Sequence, residues 1–113
     1  MKKRSKLVIG GFYLIYGGTP HPSLVFKYDP KHKTYLAIKF GTTKTRHMTK
    51  IHPIQKGENS QYVHNRPIEG TIDDFGKKEL LGLSIDGHDL LTLDLIKMRV
   101  PIKTNQAKKR YKK

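Results

Sequence analysis

Apolar residues in the first forty positions fall into three short runs that are separated by turn-forming residues. Branched and aromatic side chains dominate these runs and favour β-strands, which we predict at residues 12–16, 23–28 and 34–40. Asp29 and Pro30 follow the second run and are typical of a tight turn. We therefore expect the second and third strands to pair as an antiparallel hairpin. Alternation in the third strand assigns three side chains to the core face, namely Leu36, Ile38 and Phe40.

Two further short strands are predicted at residues 48–54 and 61–64. Five short strands with frequent turns are typical of a small barrel or sandwich. The length of the chain allows one modest core. We predict a single domain at residues 10–102, between a basic N-terminal arm at residues 1–9 and a basic C-terminal tail at residues 103–113.

The last third of the chain changes to helical spacing. A short helix is predicted at residues 74–81, with Thr71 or Asp73 as its N-cap. A stronger helix follows Asp86, carries leucines at helical spacing that are best explained as core, and ends before Pro101. Asp86 and the glycine after it could instead form a hairpin turn, but the flanking residues alternate poorly. The predicted fold class is therefore mainly β with a C-terminal helix.

The charge of the chain points to a polyanionic partner. Among 113 residues, 23 Lys and Arg stand against 9 Asp and Glu, which gives a net charge of +14. Ten of these cations lie in residues 1–6 and 103–113, which contain no acid. Basic ends of this kind commonly bind the phosphate backbones of RNA or DNA. The apolar segments are too short for a signal peptide or a spanning helix, so we expect a cytoplasmic protein that does not bind membranes.

The motifs of most metal and cofactor enzymes are missing from the sequence. It has no cysteine, no Walker-type glycine loop and no His-Glu-x-x-His motif. Its six histidines form no pair at helix-turn spacing with a carboxylate, and its nine acids form no clustered set of the kind that a two-metal nuclease needs. We therefore expect neither a metal nor a cofactor.

Two polar loops should meet at one end of the predicted hairpin. His21 begins the second strand and residues 42–46 end the third, and antiparallel neighbours place such ends side by side. An imidazole can move the proton of a ribose 2′-hydroxyl or a leaving 5′-oxygen, while hydroxyls and cations hold the phosphate. The predicted catalytic residues are His21, Thr42, Thr43 and Arg46. The predicted RNA contacts beside them are Lys44, Thr45 and His47. The alternative is a loop histidine bonded to backbone beside a solvated strand end.

A second candidate RNA surface lies at the end of the fifth predicted strand. Tyr62 could stack on a base, and Asn65 could read a base edge. His64 and Arg66 could contact phosphate or supply a missing acid or base. The alternative is an ordinary strand followed by a loop. Further RNA contacts are predicted in the basic tail, at Lys108, Lys109 and Arg110.

The order of elements over residues 10–65 resembles the MazF/PemK class of toxin endoribonucleases from bacterial toxin–antitoxin modules. The resemblance rests on a glycine-led apolar strand, a glycine-containing loop, the run His21-Pro22-Ser23-Leu24-Val25, and a strand that closes in Thr42-Thr43. It implies a small SH3-like β-barrel and metal-independent cleavage of single-stranded mRNA, with 2′,3′-cyclic phosphate and 5′-hydroxyl ends. It also implies a protein or RNA antitoxin as partner, and the family commonly forms homodimers.

The catalytic positions of that family do not all carry over. Its arginine precedes the proline that begins strand two, a position that is His21 here, and its Ser or Thr closes strand three, which matches Thr42 or Thr43. Either His21 replaces the arginine as acid or base, or Arg46 supplies the cation, or the site is not catalytic. Two other functions stay open: a non-catalytic nucleic-acid-binding module from a mobile element, and an inhibitor that docks on a nucleoprotein complex.

Overall fold

A computed structural model describes residues 6–16, 19–55 and 61–104. Within these ranges the protein is mainly β with one short helix near the C-terminal end, which confirms the predicted class. The strands are β1 Phe12–Ile15, β2 His21–Asp29, β3 Thr34–Gly41, β4 Met48–Lys50, β5 Tyr62–His64, β6 Ile68–Gly70 and β7 Ile102–Lys103. The helix, α1, spans Leu90–Lys97, and short 3₁₀ turns occupy Ile72–Asp74 and Gly87–Asp89.

All strands of the described residues belong to one sheet. Its main path runs β1-β2-β3-β5-β4 and is open, while β6 pairs with β3 and with β7. Every pair is antiparallel except β6 with β7. The predicted β2–β3 hairpin is confirmed, and Asp29 closes its turn by accepting a hydrogen bond from the backbone N–H of Lys31 at 3.0 Å.

Strand β3 is the centre of the fold because it has paired neighbours on both edges. One edge pairs with β2, where a bulge between Val25 and Lys27 shifts the register. The other edge pairs first with β6, from Tyr35 to Ala37, and then with β5, from Phe40 onward. The end of β3 therefore lies between β2 and β5, and residues of three strands meet there.

Both faces of β3 are buried, which the predicted alternation did not anticipate. Tyr35 and Ala37 pack into one apolar cluster, and Ile38 and Phe40 pack into a second. Leu36, which was assigned to the core face, is only half-buried. The core positions of Ile38 and Phe40 are confirmed, and the opposite face is buried as well because β3 has an apolar cluster on each side.

The helix predicted at residues 74–81 is absent from the structure. In its place Phe75 forms an isolated β-bridge with Ile15, and Leu80 forms one with Phe12. The backbone N–H of Leu80 donates to the carbonyl oxygen of Phe12 at 2.7 Å. Because β1 takes up these backbone groups, tertiary pairing overrides the weak local helix signal.

The predicted N-cap at Asp86 is present, one turn ahead of α1. Its carboxylate accepts a hydrogen bond from the backbone N–H of His88 at 2.8 Å and caps the 3₁₀ turn that leads into the helix. The core assignment of the helix is only partly right. Leu93 and Ile96 are buried, whereas four other apolar side chains of this region are exposed: Leu90, Leu91, Leu95 and Met98.

Residues on both sides of the predicted domain pack against the fold. Leu7 is buried in a core cluster, and its backbone N–H donates to the hydroxyl of Tyr35 at 3.2 Å. At the other end Thr104 is buried and donates a hydrogen bond to Asp74 Oδ2 at 2.8 Å. Residues 1–5 of the basic arm and 105–113 of the basic tail lie outside the described residues. Across the described part of the chain, no helix has the length and apolar character needed to cross a membrane.

Candidate functional site

A cleft of about 220 Å³ opens at the end of β3, between the start of β2 and the end of β5. Three basic side chains line it, from His21, Lys39 and His64. The loop after β3 contributes hydroxyl groups. The remaining lining residues are Phe40, Gly41, Thr42, Thr43, Thr45 and Met48.

Strand pairing explains why these residues meet. Ser23 of β2 lies opposite Lys39 of β3, and this register brings His21 level with the end of β3. The threonines follow that end directly, so the predicted proximity of His21 to Thr42 and Thr43 is confirmed. Val63 of β5 pairs with Phe40 of β3 and places His64 beside the same strand end.

The pKa values of all three basic groups of the cleft are lowered, chiefly by burial. Burial lowers the pKa of Lys39. Burial and the nearby Lys39 charge lower the pKa of His21. Burial lowers the pKa of His64 most strongly, and the charges of Lys39, His21 and His47 add to this effect, so that its pKa is about 4. Desolvation and like charge both disfavour the protonated forms.

The cleft has no carboxylate among its lining residues in the described ranges. The other histidines of these ranges differ, since three of them lie within hydrogen-bond distance of an aspartate: His32 with Asp29, His52 with Asp89, and His88 with Asp86. A phosphate group bound in the cleft would supply the missing negative charge and raise the pKa of each basic group. The electrostatics of the cleft therefore favour an anionic ligand.

Not every residue of the predicted catalytic loop reaches the cleft. Thr42, Thr43 and Thr45 line it, whereas Lys44 and Arg46 are exposed and do not. The Nε of Arg46 lies 3.4 Å from Nε2 of the exposed His47. Arg46 therefore lies at the outer rim, on the loop that surrounds the cleft.

Only some residues of the second predicted RNA surface lie at the cleft, and the others make contacts within the fold. His64 belongs to the cleft, and Tyr62 is half-buried two residues before it. Asn65 accepts a hydrogen bond from the hydroxyl of Thr49. The Nε of Arg66 donates to the carbonyl oxygen of Val100 at 2.8 Å, which ties this loop to the segment after α1. Lys108, Lys109 and Arg110 lie outside the described residues.

Lys39 is a residue of the site that sequence reasoning missed. The alternation of β3 assigned it to a solvent-facing position, but it is half-buried between β2 and β5. The available signal was a lysine flanked by Ile38 and Phe40 near the end of a strongly apolar strand. Lysine seldom occurs in a buried strand without a partner or a role.

A second hollow, of about 150 Å³, shares Lys39 and His64 with the cleft. Its other lining residues are mostly apolar and include Ile15, Ile68 and Ile102. The exposed ring of Tyr16 lies at its edge. The two hollows together present a basic, hydroxyl-lined compartment next to an apolar one.

No family of known proteins matches this chain, and no curated protein or solved structure is significantly similar to it. The resemblance to the MazF/PemK toxins therefore rests on the order of elements and on the residues quoted for it. What the protein does has to be argued from the chemistry of the cleft.

Proposed function

We propose that the protein is a metal-independent endoribonuclease that cleaves single-stranded RNA, with mRNA as the expected substrate. The ribose 2′-hydroxyl would attack the adjacent phosphate and leave 2′,3′-cyclic phosphate and 5′-hydroxyl ends. The observation that carries the proposal is the cleft in which His21, His64 and Lys39 converge with threonine hydroxyls. Its lining within the described residues offers no carboxylate to hold catalytic metal ions.

The pKa values assign different roles to the basic groups. With a pKa of about 4 in the free protein, His64 is unprotonated at neutral pH. A bound phosphate would raise this pKa and make His64 a stronger base for the proton of the 2′-hydroxyl. Lys39 lies beside both histidines and would stabilise the charge that develops on the phosphate. His21 would donate a proton to the departing 5′-oxygen once the bound phosphate has raised its pKa.

The threonine loop would position the substrate. Thr42, Thr43 and Thr45 line the cleft, and their hydroxyls could donate hydrogen bonds to phosphate oxygens. The apolar hollow beside Lys39 and His64 has room for the edge of a base. This arrangement supports the reading in which histidine takes the place of the arginine of the MazF/PemK family.

The fold and setting of that family form part of the same proposal. We infer a partly open SH3-like barrel, because the edge of β3 away from β2 pairs with β6 near its start and with β5 at its end. Three further features stay predictions: cytoplasmic action on mRNA, control by an antitoxin and a homodimeric state. Light scattering of the purified protein would test the dimer.

The decisive experiment is incubation of the purified protein with a long single-stranded RNA in EDTA, followed by end-group analysis. Discrete fragments with cyclic phosphate and 5′-hydroxyl ends are expected. His64→Gln and His21→Ala should each lower the cleavage rate by about 100-fold or more, the usual contribution of a general acid or base. Thr42→Ala should also abolish most cleavage, with little loss of RNA binding.

A matched control is available on the hairpin turn. His32 is exposed, pairs with Asp29 and does not line the cleft, so His32→Ala should leave cleavage unchanged. Full activity of either the His21 or the His64 variant would show that the site is wrongly assigned. Comparable losses in all three variants would point to a general effect on folding.

The second candidate function is a nucleic-acid-binding module without catalysis. The clustering of cations at both ends of the chain favours it, because such ends bind phosphate backbones without any chemistry. It predicts RNA that shifts on a gel but stays intact, with an affinity that does not depend on His21 or Thr42. Deletion of residues 105–113 should then weaken RNA binding and flatten the salt dependence of the affinity. This deletion keeps the buried Thr104.

A further inference from the structure

Away from the cleft, three side chains form a compact cluster on the surface: His52, Asp86 and His88. Each offers one ligand atom, and these atoms all lie within 4.8 Å of one another. His52 follows β4, whereas Asp86 and His88 belong to the turn that leads into α1. The cluster therefore joins two segments that are distant in sequence.

A buried carboxylate fixes the orientation of the first histidine. Asp89 is 7% exposed and accepts a hydrogen bond from the backbone N–H of His52 at 2.8 Å. The same carboxylate lies 3.1 Å from Nδ1 of the His52 ring. With the Nδ1 proton directed to Asp89, Nε2 of His52 is left as an electron-pair donor. Metal-binding histidines are typically held by a carboxylate in this way.

The second histidine lies alongside the first. The ring centroids of His52 and His88 are 5.6 Å apart, and the ring planes differ by 33°. Nδ1 of His88 lies 2.7 Å from Oδ1 of Asp86, which holds this ring next to the third ligand. The side chains of His52 and His88 are 56% and 84% exposed, so both can rotate by the small amounts that coordination requires.

We propose that His52, His88 and Asp86 bind a divalent transition-metal ion, with Zn²⁺ as the best fit. Two imidazoles and a carboxylate are ordinary zinc ligands, and bonds of about 2.0–2.2 Å place tetrahedral ligand atoms roughly 3.3 Å apart. The ligand atoms already lie within 4.8 Å of one another, so small rotations of the side chains suffice to reach that spacing. Water would occupy the fourth position. Magnesium and calcium are poor candidates because they prefer oxygen ligands.

The ion would act as a clip between the end of β4 and the start of α1. None of the three ligands lines the cleft, and cleavage of RNA is tested in EDTA, so this site and the proposed nuclease stand or fall separately. Zinc that binds the folded chain and not the unfolded chain would stabilise the fold by mass action. The expected readouts are therefore zinc affinity and thermal stability.

The test uses the full-length, metal-free protein, titrated with Zn²⁺ by calorimetry and by thermal melting. One ion per chain is expected to bind and to raise the melting temperature, while Mg²⁺ does neither. Histidine NMR should show zinc-dependent shifts at His52 and His88. His52→Gln and His88→Gln should each weaken zinc binding by at least about tenfold, the usual minimum for loss of a contributing group.

Two matched variants complete the design. His32→Gln removes another exposed histidine that pairs with an aspartate, and His64→Gln removes a histidine of the cleft; both should leave the affinity for zinc unchanged. The proposal would be overturned if no zinc bound at about 100 μM, because a site with an affinity weaker than that would barely stabilise the fold. Binding that persists in the His52→Gln/His88→Gln double variant would overturn it as well.

Discussion

The low pKa of His64 makes folding stability depend on pH in a definite window. His64 has a pKa of about 4 in the folded protein, against an ordinary value of 6.5, because burial and neighbouring cations disfavour its charged form. Between these two values the unfolded chain binds the proton and the folded chain does not. Stability should therefore fall as pH is lowered from 6.5 to 4 and then level off.

The size of this effect follows from the two pKa values. Moving the pKa from 6.5 to about 4 corresponds to roughly 3 kcal/mol of folding free energy. Since His64 is only half-buried, solvent screening reduces the expected loss to about 1–2 kcal/mol. The titrations of Asp29 and Asp86 fall below this window, because their pKa values are lowered from 3.8. Their contributions to folding stability are therefore lost at a lower pH.

Urea denaturation of the wild type and of His64→Gln across this pH range would measure the effect. The wild type should lose about 1–2 kcal/mol more than the variant between pH 7 and pH 4. His21, whose pKa is also lowered, contributes in both proteins and cancels in the comparison. An NMR titration that places His64 near 6.5, or identical pH profiles for the two proteins, would refute the reasoning.

Two further predictions concern the lysine of the cleft and the C-terminal edge of the fold. Lys39→Met keeps the length of the side chain but removes its charge, so NMR titration should give higher pKa values for His21 and His64, although burial keeps His64 below 6.5. Unchanged values would mean that Lys39 does not act on them. Thr104→Val removes one of the hydrogen-bond donors to the buried Asp74, beside those of Thr71, and should cost about 1–3 kcal/mol in urea denaturation. Thr104→Ser is the control that keeps the hydroxyl, and equal stabilities of the two variants would contradict the role given to it.

The first half of the fold could be predicted because its signals are local. Strands β1 to β3 carry branched and aromatic residues, and Asp29 with Pro30 marks the turn of the hairpin. Strands β6 and β7 could not be found in this way, since each contains a single branched residue, Ile68 or Ile102. Their pairing depends on partners far away in the sequence, which no local pattern encodes.

The candidate site was predictable where adjacent strands define it and not where distant ones do. The proximity of His21 to Thr42 followed from the antiparallel hairpin alone. The addition of His64 needed the pairing of β5 with the end of β3, a non-local contact. Alternation within β3 leaves Lys39 off the predicted core face. Its burial could be foreseen only from the strands that enclose β3 on both sides, because these strands keep solvent away from it.

The free energy cost of the cleft is itself an argument for a ligand. Desolvated basic groups without a carboxylate partner destabilise a fold, and such arrangements are concentrated at functional sites. Elsewhere in the described ranges three histidines pair with aspartates: His32, His52 and His88. At His21 and His64 it instead brings a lysine alongside. A bound phosphate would reverse the unfavourable electrostatics, so the groups that weaken the free protein are the ones expected to strengthen the proposed complex with RNA.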